Sequence, residues 1–317
     1  MIRSGAVHLD SADGPRVRAR WPLGACVIGL ALPALAHAAR QGPPVFGVAA
    51  NVVRVAVVVT APDGSLARDL RPADFELFED GRRREIEMLR RADGWPGEAA
   101  LGLDLLLLLD RSASMLKNLA GARTTAAALL SEIPKGDARG VVGLEGEPVF
   151  WREPPADPLA VLDAESKPVQ AMVATGVDAL RPAAGRKALV LLSDGDGLAG
   201  TRAWAETFRS ISASDVTLYV ISYAAHLGPK PRVASAQSRL EKLAAATGGV
   251  VLDGYFPGGR EAVRRITEDL SAQYILGFQP AEPAKGGYRS LEVKVTRRGF
   301  RVRHRDRYLA RVRDETR

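Results

Sequence analysis

The sequence of 317 residues holds one cysteine, Cys26, and four histidines. Cys26 falls in an N-terminal leader, so the rest of the chain has no disulfide and no thiol chemistry. Past that leader the histidines are His226 and His304. A serine hydrolase needs a base beside its nucleophile, and the chain has no G-x-S-x-G elbow. His226 falls in a polar loop and His304 in a strand pattern, which reads as surface or packed histidines. There is no internal repeat and no low-complexity tract. The apolar segment over 22–32 is short of the about 20 residues that a membrane-spanning helix needs. Basic residues spread along a central face are also missing. Of the net charge of +7, much sits at the C-terminal end, where nine Arg fall between Arg297 and Arg317. A nucleic-acid groove needs a basic stripe, usually with stacking aromatics, so no nucleic-acid partner is expected. Arg301, Arg303, Arg305 and Arg307 alternate, which places them on one side of a strand as a solvated face that discourages edge pairing.

The leader has the order of an export signal. Arg16, Arg18 and Arg20 precede the apolar segment, and Ala36-His37-Ala38 forms an A-x-A-like cleavage site before Ala39. Residues 1–38 are therefore expected to be a signal peptide, cleaved or kept as an anchor. The cleaved form implies a periplasmic or secreted protein with no stable membrane insertion.

Residues 101–115, LGLDLLLLLDRSASM, organise the central part of the chain. A short apolar run without alternation is the pattern of a strand buried on both faces, as in the middle of a parallel sheet. It ends on Asp110, and Ser112 and Ser114 come directly after. The next stretch, 115–133, reads as a helix with Leu116, Leu119, Ala126 and Leu130 on one side. The polar cluster thus lies in a strand-to-helix turn, on the sheet edge where open α/β sheets bind ligands.

From residue 100 to 272 strands and helices alternate, which argues for βαβ units. Strands are expected over 140–144, 148–151, 187–192, 216–222 and 250–252. Helices are expected over 202–211, 234–246 and 260–270, with a further helix face marked by Val169, Met172, Val173 and Leu180. Flanking this block are β-rich segments. Over 46–92, Val53, Val55, Val57 and Val59 share one face, 75–79 is a strand, Asp80-Gly81 is a hairpin signal, and 84–89 returns. Over 273–310, strands are expected at 274–278, 291–295 and 300–305. Neither segment has enough strands to close a core alone, so the two are expected to pack together as one small β domain. The fold class is α/β: a doubly wound, mostly parallel sheet flanked by helices, with that small β domain beside it.

Asp194, in Leu191-Leu192-Ser193-Asp194-Gly195, also closes an apolar strand. If its strand neighbours that of Asp110, two carboxylates and two hydroxyls meet at one edge, an oxygen-rich set suited to Mg²⁺. The plainer reading of the cluster is a helix cap and a polar turn.

DRSASM after LDLLLLL, and LLSDG about eighty residues later, resemble the von Willebrand factor A domain with its metal-ion-dependent adhesion site. The stretches VVVTAPDGSLARDLRPADFELFEDG and LSAQYILGFQPAEPAKGGYRSLEVKV extend the resemblance to the bacterial, acidobacterial-type proteins built around that domain. By that resemblance Ser112 and Ser114 would ligate Mg²⁺ (or Mn²⁺ or Ca²⁺) directly, and Asp110 and Asp194 mostly through waters. The family's threonine ligand has no counterpart. Ser166 is the nearest hydroxyl, and the ammonium of its neighbour Lys167 could instead take the cation's place. The resemblance implies a non-enzymatic binding protein whose protein partner completes the metal shell with an acidic side chain. The alternatives are a structural envelope module with a degenerate, metal-free site and, as a further rival, a Mg²⁺-dependent hydrolase.

Overall fold

The computed structural model describes residues 52–133, 138–142, 148–151, 159, 168–183, 185–198, 200–255, 257–281 and 286–310. The leader, Ser166 and Lys167 lie outside them. β1 (Val53–Thr60) buries Val55, Val57 and Val59 completely. β2 (Phe75–Glu79) and β3 (Arg82–Arg84) form a hairpin across Asp80 and Gly81, at φ 48° and 73°. Two left-handed residues are what a tight hairpin turn with native strand twist requires. β4 (Met88–Arg91) belongs to a different sheet. The single return strand expected over 84–89 is therefore two strands with a change of sheet between them, and Ile86 packs against the β core from that crossing.

β5 (Leu103–Leu109) is followed by a 3-10 turn at Ala113–Met115 and then α1 (Leu119–Glu132). The turn delays the helix expected from 115, and Leu116, expected on its buried side, is 64% exposed. β6 (Ala138–Val142) and β7 (Pro148–Trp151) pair antiparallel. Then come α2 (Val169–Leu180), β8 (Arg186–Ser193), α3 (Thr201–Ser212), β9 (Thr217–Ser222), α4 (Lys230–Ala245), β10 (Val251–Asp253) and α5 (Gly258–Ala272). The end of α4 is closed by Gly248 at φ 80°, with the Gly249 N–H bonded to the Ala244 carbonyl, a left-handed cap that only glycine adopts without strain. β11 (Tyr274–Phe278), β12 (Gly287–Val295), β13 (Arg301–His304) and β14 (Arg307–Ala310) complete the order of elements.

Six strands form one sheet in the order β10-β9-β8-β5-β6-β7, parallel except for β7. Side chains alternate across β5, so its leucine run serves two cores. Leu105, Leu107 and Leu109 meet Ala126 and Leu130 of α1 and Ile266 and Leu270 of α5. Leu106 and Leu108 meet Met172 and Val173 of α2, Ile211 of α3 and Leu240 and Leu243 of α4. Each fully buried leucine contributes about 1.5–3 kcal/mol relative to exposure, which is why the central strand needs no polar face. This is a doubly wound, Rossmann-like α/β fold. The chain leaves β5 toward β6 and comes back to β8 on the other side, so the strand order reverses between β5 and β8. Crevices for ligands form at the carboxyl ends of strands at such a reversal.

The remaining strands make two four-stranded sheets, β13-β1-β11-β4 and β14-β12-β2-β3. Segments from both sides of the α/β block contribute to each: β1 pairs with β11, and β2 with β12. Between them lie Val55, Val57, Val59, Phe75, Leu77, Tyr274, Leu276, Phe278, Leu291 and Val293.

Two members of the arginine row, Arg303 and Arg305, depart from the solvated face expected of it, while Arg301 is exposed. Arg303 bonds Asp269 at 2.5 Å and the Gly248 carbonyl at 3.2 Å. Arg305 is buried and donates to the carbonyls of Ser214 and Arg54 at 3.1 and 2.6 Å. The strand also breaks at 305–306. The reason is that this side of the chain packs against the carbonyls just beyond α3 and α4, which need donors, and against the Asp269 carboxylate of α5. Loss of hydration holds the Arg305 guanidinium down to about 10, and it remains cationic at neutral pH.

His304 is held neutral. Its Nε2 accepts the Val293 N–H at 3.0 Å, which leaves Nδ1 to donate to the Arg305 carbonyl at 2.7 Å. Burial lowers its pKa below the ordinary 6.5. The unfolded chain therefore takes up this proton first as pH falls, so stability is full above 6.5 and declines below it. Melting temperatures measured from pH 8 to pH 5 should fall below that point. His304→Gln, with an amide oxygen to accept the Val293 N–H, should show a shallower decline over the same window.

Candidate functional site

Asp110 and Asp194 come directly after the ends of the adjacent parallel strands β5 and β8, where Leu109 pairs with Leu192 and the Asp110 N–H bonds the Leu192 carbonyl at 2.9 Å. Both carboxylates are buried. One oxygen of Asp110 accepts the Ser112 N–H at 2.9 Å and the other the Ser193 hydroxyl at 2.5 Å. The Ser193 hydroxyl in turn accepts the Gly195 N–H at 3.0 Å. Asp110 thus sets the backbone of the next turn and ties β5 to β8. Burial raises its pKa, with the negative charge of Asp194 adding in the same direction, against the hydrogen bonds from Ser193 and Ser112.

That turn presents the Ser112 and Ser114 hydroxyls 3.0 Å apart, hydrogen-bonded to each other. Two ligands about 2.1 Å from one octahedral ion are also about 3.0 Å apart, so the pair is spaced as neighbouring metal ligands are. Asp194 uses one oxygen to accept the Asp196 N–H at 2.9 Å. Its other oxygen, Oδ2, is buried and has no hydrogen-bond partner among the described residues. A buried carboxylate oxygen without a donor is costly, and it lacks what a cation supplies. Gly195, at φ 74°, makes this turn possible: a Cβ there would stand 3.0 Å from the Leu240 side chain. Arg232, at the start of α4, grips Asp196 through two bonds of 3.1 and 2.7 Å and steadies the same turn.

The structure therefore brings Asp110, Ser112, Ser114 and Asp194 to one edge, and Ser166 lies outside the described residues. It adds a group whose sequence context suggested only a surface or packed histidine. His226, four residues beyond β9, directs Nε2 to the Ser114 carbonyl at 2.8 Å and lies 3.4 Å from the orphaned Oδ2 of Asp194. Its Nδ1 faces the Tyr223 carbonyl at 2.5 Å, the Tyr255 hydroxyl at 3.0 Å and the Asn118 amide at 2.8 Å. The signal that could have found it is positional. A loop leaving the strand beside β8 has to emerge at the same edge as Asp194. Among the described residues no three His, Cys, Asp or Glu side chains form a ready metal cage. The donors are two hydroxyls, one orphaned carboxylate oxygen and an imidazole.

No protein-family model and no curated protein matches the chain. Similar solved structures include an aerotolerance-related membrane protein from Bacteroides fragilis, 14% identical, with a TM-score of 0.38 over 53% of this chain and 98% of that one. The protein BatB from Bacteroides thetaiotaomicron is 14% identical, with a TM-score of 0.39 over 54% of this chain and 98% of its own. A von Willebrand factor type A protein from Catenulispora acidiphila is 12% identical, with a TM-score of 0.39 over 83% of this chain and 74% of its own. At such identities and scores the likenesses carry nothing about this chain's chemistry.

Because burial raises the Asp110 carboxyl, the ionised form costs stability in the folded protein, and that cost grows as pH rises through the folded pKa. Asp110→Asn keeps the shape and removes the charge. In chelator at pH 7.5 its melting temperature should exceed that of the wild type, by roughly 2–4 °C for each kcal/mol of strain relieved. Scanning calorimetry of the two proteins checks the sign.

Proposed function

We propose that this chain is an exported binding protein that engages a protein partner through a divalent cation at the carboxyl edge of its six-stranded sheet. The observation that carries the reading is the buried Oδ2 of Asp194, without a hydrogen bond among the described residues, at the same strand-end edge as the paired hydroxyls of Ser112 and Ser114, where the strand order reverses. The resemblance of DRSASM and LLSDG to the von Willebrand factor A domain and its adhesion site supports the same ligands. A bound Mg²⁺, Mn²⁺ or Ca²⁺ supplies an open coordination position that attracts a partner's carboxylate. Ser112 and Ser114 would hold it directly, Asp194 would face it with its orphaned oxygen, and Asp110 would hold the turn in place. Leu116 and Lys117, exposed beside that turn, offer an apolar and a cationic contact to whatever docks.

A binding role is favoured over acyl transfer by how the hydroxyls are occupied. Ser112 and Ser114 bond each other, and His226 turns its Nε2 to the Ser114 carbonyl rather than to a hydroxyl. That leaves no arrangement of nucleophile and base among the described residues.

Thermal melting and calorimetry with Mg²⁺ or Mn²⁺ test the site. Wild type should gain about 2.7 kcal/mol at an ion concentration a hundred times Kd. Asp110→Ala should abolish the response without unfolding the protein, and Ser112→Ala should weaken it. A clear loss in Ser166→Ala would assign the third hydroxyl. A gain of binding in Lys167→Ala, with none in wild type, would favour the metal-free structural module. Silence of both wild type and Lys167→Ala at millimolar ion would overturn the adhesion reading.

Export has its own check. N-terminal sequencing of the protein from the cell envelope should begin near Ala39, and a chain still starting at Met1 would count against it.

A further inference from the structure

Building on the cation site just proposed, we propose that His226 is one of its ligands, and that the site therefore prefers a transition-metal dication such as Zn²⁺ or Co²⁺ over Mg²⁺ and Ca²⁺. Three observations carry this. First, Nε2 of His226 is 3.4 Å from Oδ2 of Asp194, the buried oxygen that has no hydrogen bond. Two ligands each about 2.1 Å from one ion stand about 3.0 Å apart at a right angle and about 3.4 Å apart at the tetrahedral angle. Second, the far side of the ring is arranged as it is behind metal-binding histidines. Nδ1 stands 2.5 Å from the Tyr223 carbonyl, 2.8 Å from the Asn118 amide and 3.0 Å from the Tyr255 hydroxyl, which itself donates to that carbonyl. Polar partners behind the ring hold its orientation and leave Nε2 facing forward. Third, two acceptor oxygens lie forward of the ring, the Asp194 carboxylate at 3.4 Å and the Ser114 carbonyl at 2.8 Å, to which Nε2–H donates in the absence of an ion. A cation in place of that proton would face one nitrogen and two oxygens.

The ring is also held from three loops at once. Ser114 and Asn118 come from the turn after β5, Tyr223 from the end of β9 and Tyr255 from the loop after β10. The side chain is only 19% exposed. An imidazole so placed does not swing away when an ion arrives. Imidazole nitrogen suits Zn²⁺, Ni²⁺ and Co²⁺, while Mg²⁺, Ca²⁺ and Mn²⁺ favour oxygen. Removing His226 therefore changes which ion is held as well as how tightly.

The test titrates the full chain with Mg²⁺, Co²⁺ and Zn²⁺ by calorimetry, for wild type, His226→Ala, His226→Gln and Ser112→Ala. Loss of the imidazole in His226→Ala and His226→Gln should weaken Co²⁺ and Zn²⁺ by about tenfold or more and Mg²⁺ by less than about threefold. Ser112→Ala should weaken all three. Pulsed electron paramagnetic resonance of Mn²⁺ on the wild type needs no variant and should show coupling to an imidazole nitrogen, lost in His226→Gln. Should His226→Ala fail to fold, that spectrum decides. If the wild type binds Mg²⁺ but the His226 variants shift Mg²⁺ and Zn²⁺ by the same factor, or the Mn²⁺ spectrum lacks the nitrogen, the histidine ligand is refuted and the adhesion site stands. If the wild type binds no ion at all, both fall.

Discussion

The carboxyl edge of the large sheet depends on Asp110, a carboxylate that the fold keeps out of water. Its position results from β5, whose leucines bury toward helices on both sides and leave the first polar side chain at the strand's end. Both of its oxygens are taken, by the Ser112 N–H and the Ser193 hydroxyl. The first of those bonds bends the chain into the turn that presents two serine hydroxyls, and the second joins β5 to the strand that carries Asp194. Burial there disfavours the ionised form and raises its pKa.

A second constraint lies at the opposite ends of the strands, where helix carbonyls face the small β domain. Arg186 caps the carbonyls of Leu101 and Leu270, Arg303 reaches Asp269 and the Gly248 carbonyl, and Arg305 reaches those of Ser214 and Arg54. Guanidinium groups do this well because they stay charged and offer five donors in a fixed plane. The small β domain therefore closes its own valine-rich core and also gives donors to the carbonyls of Gly248 and Ser214, just beyond the ends of α4 and α3. Arg303 and Arg305, two of the arginines near the C-terminus, have a structural use there.

What the sequence determined by itself was the periodicity. An unbroken leucine run means a strand buried on both faces, alternating valines mean a half-buried one, and Asp80-Gly81 means a hairpin, because each is dictated by local geometry. Asp110 and Asp194 were legible as strand-end carboxylates for the same reason. Tertiary structure alone decided the rest. The change of sheet between β3 and β4 leaves no mark in a run of charged residues. The burial of Arg305 and the pairing of Arg303 depend on which acceptors pack against them. His226 looks like any loop histidine until β9 is set beside β8, since only the strand order brings residues more than thirty apart along the chain within 3.4 Å. Local pattern records which side chains must leave water, while partners across the fold decide what those side chains meet.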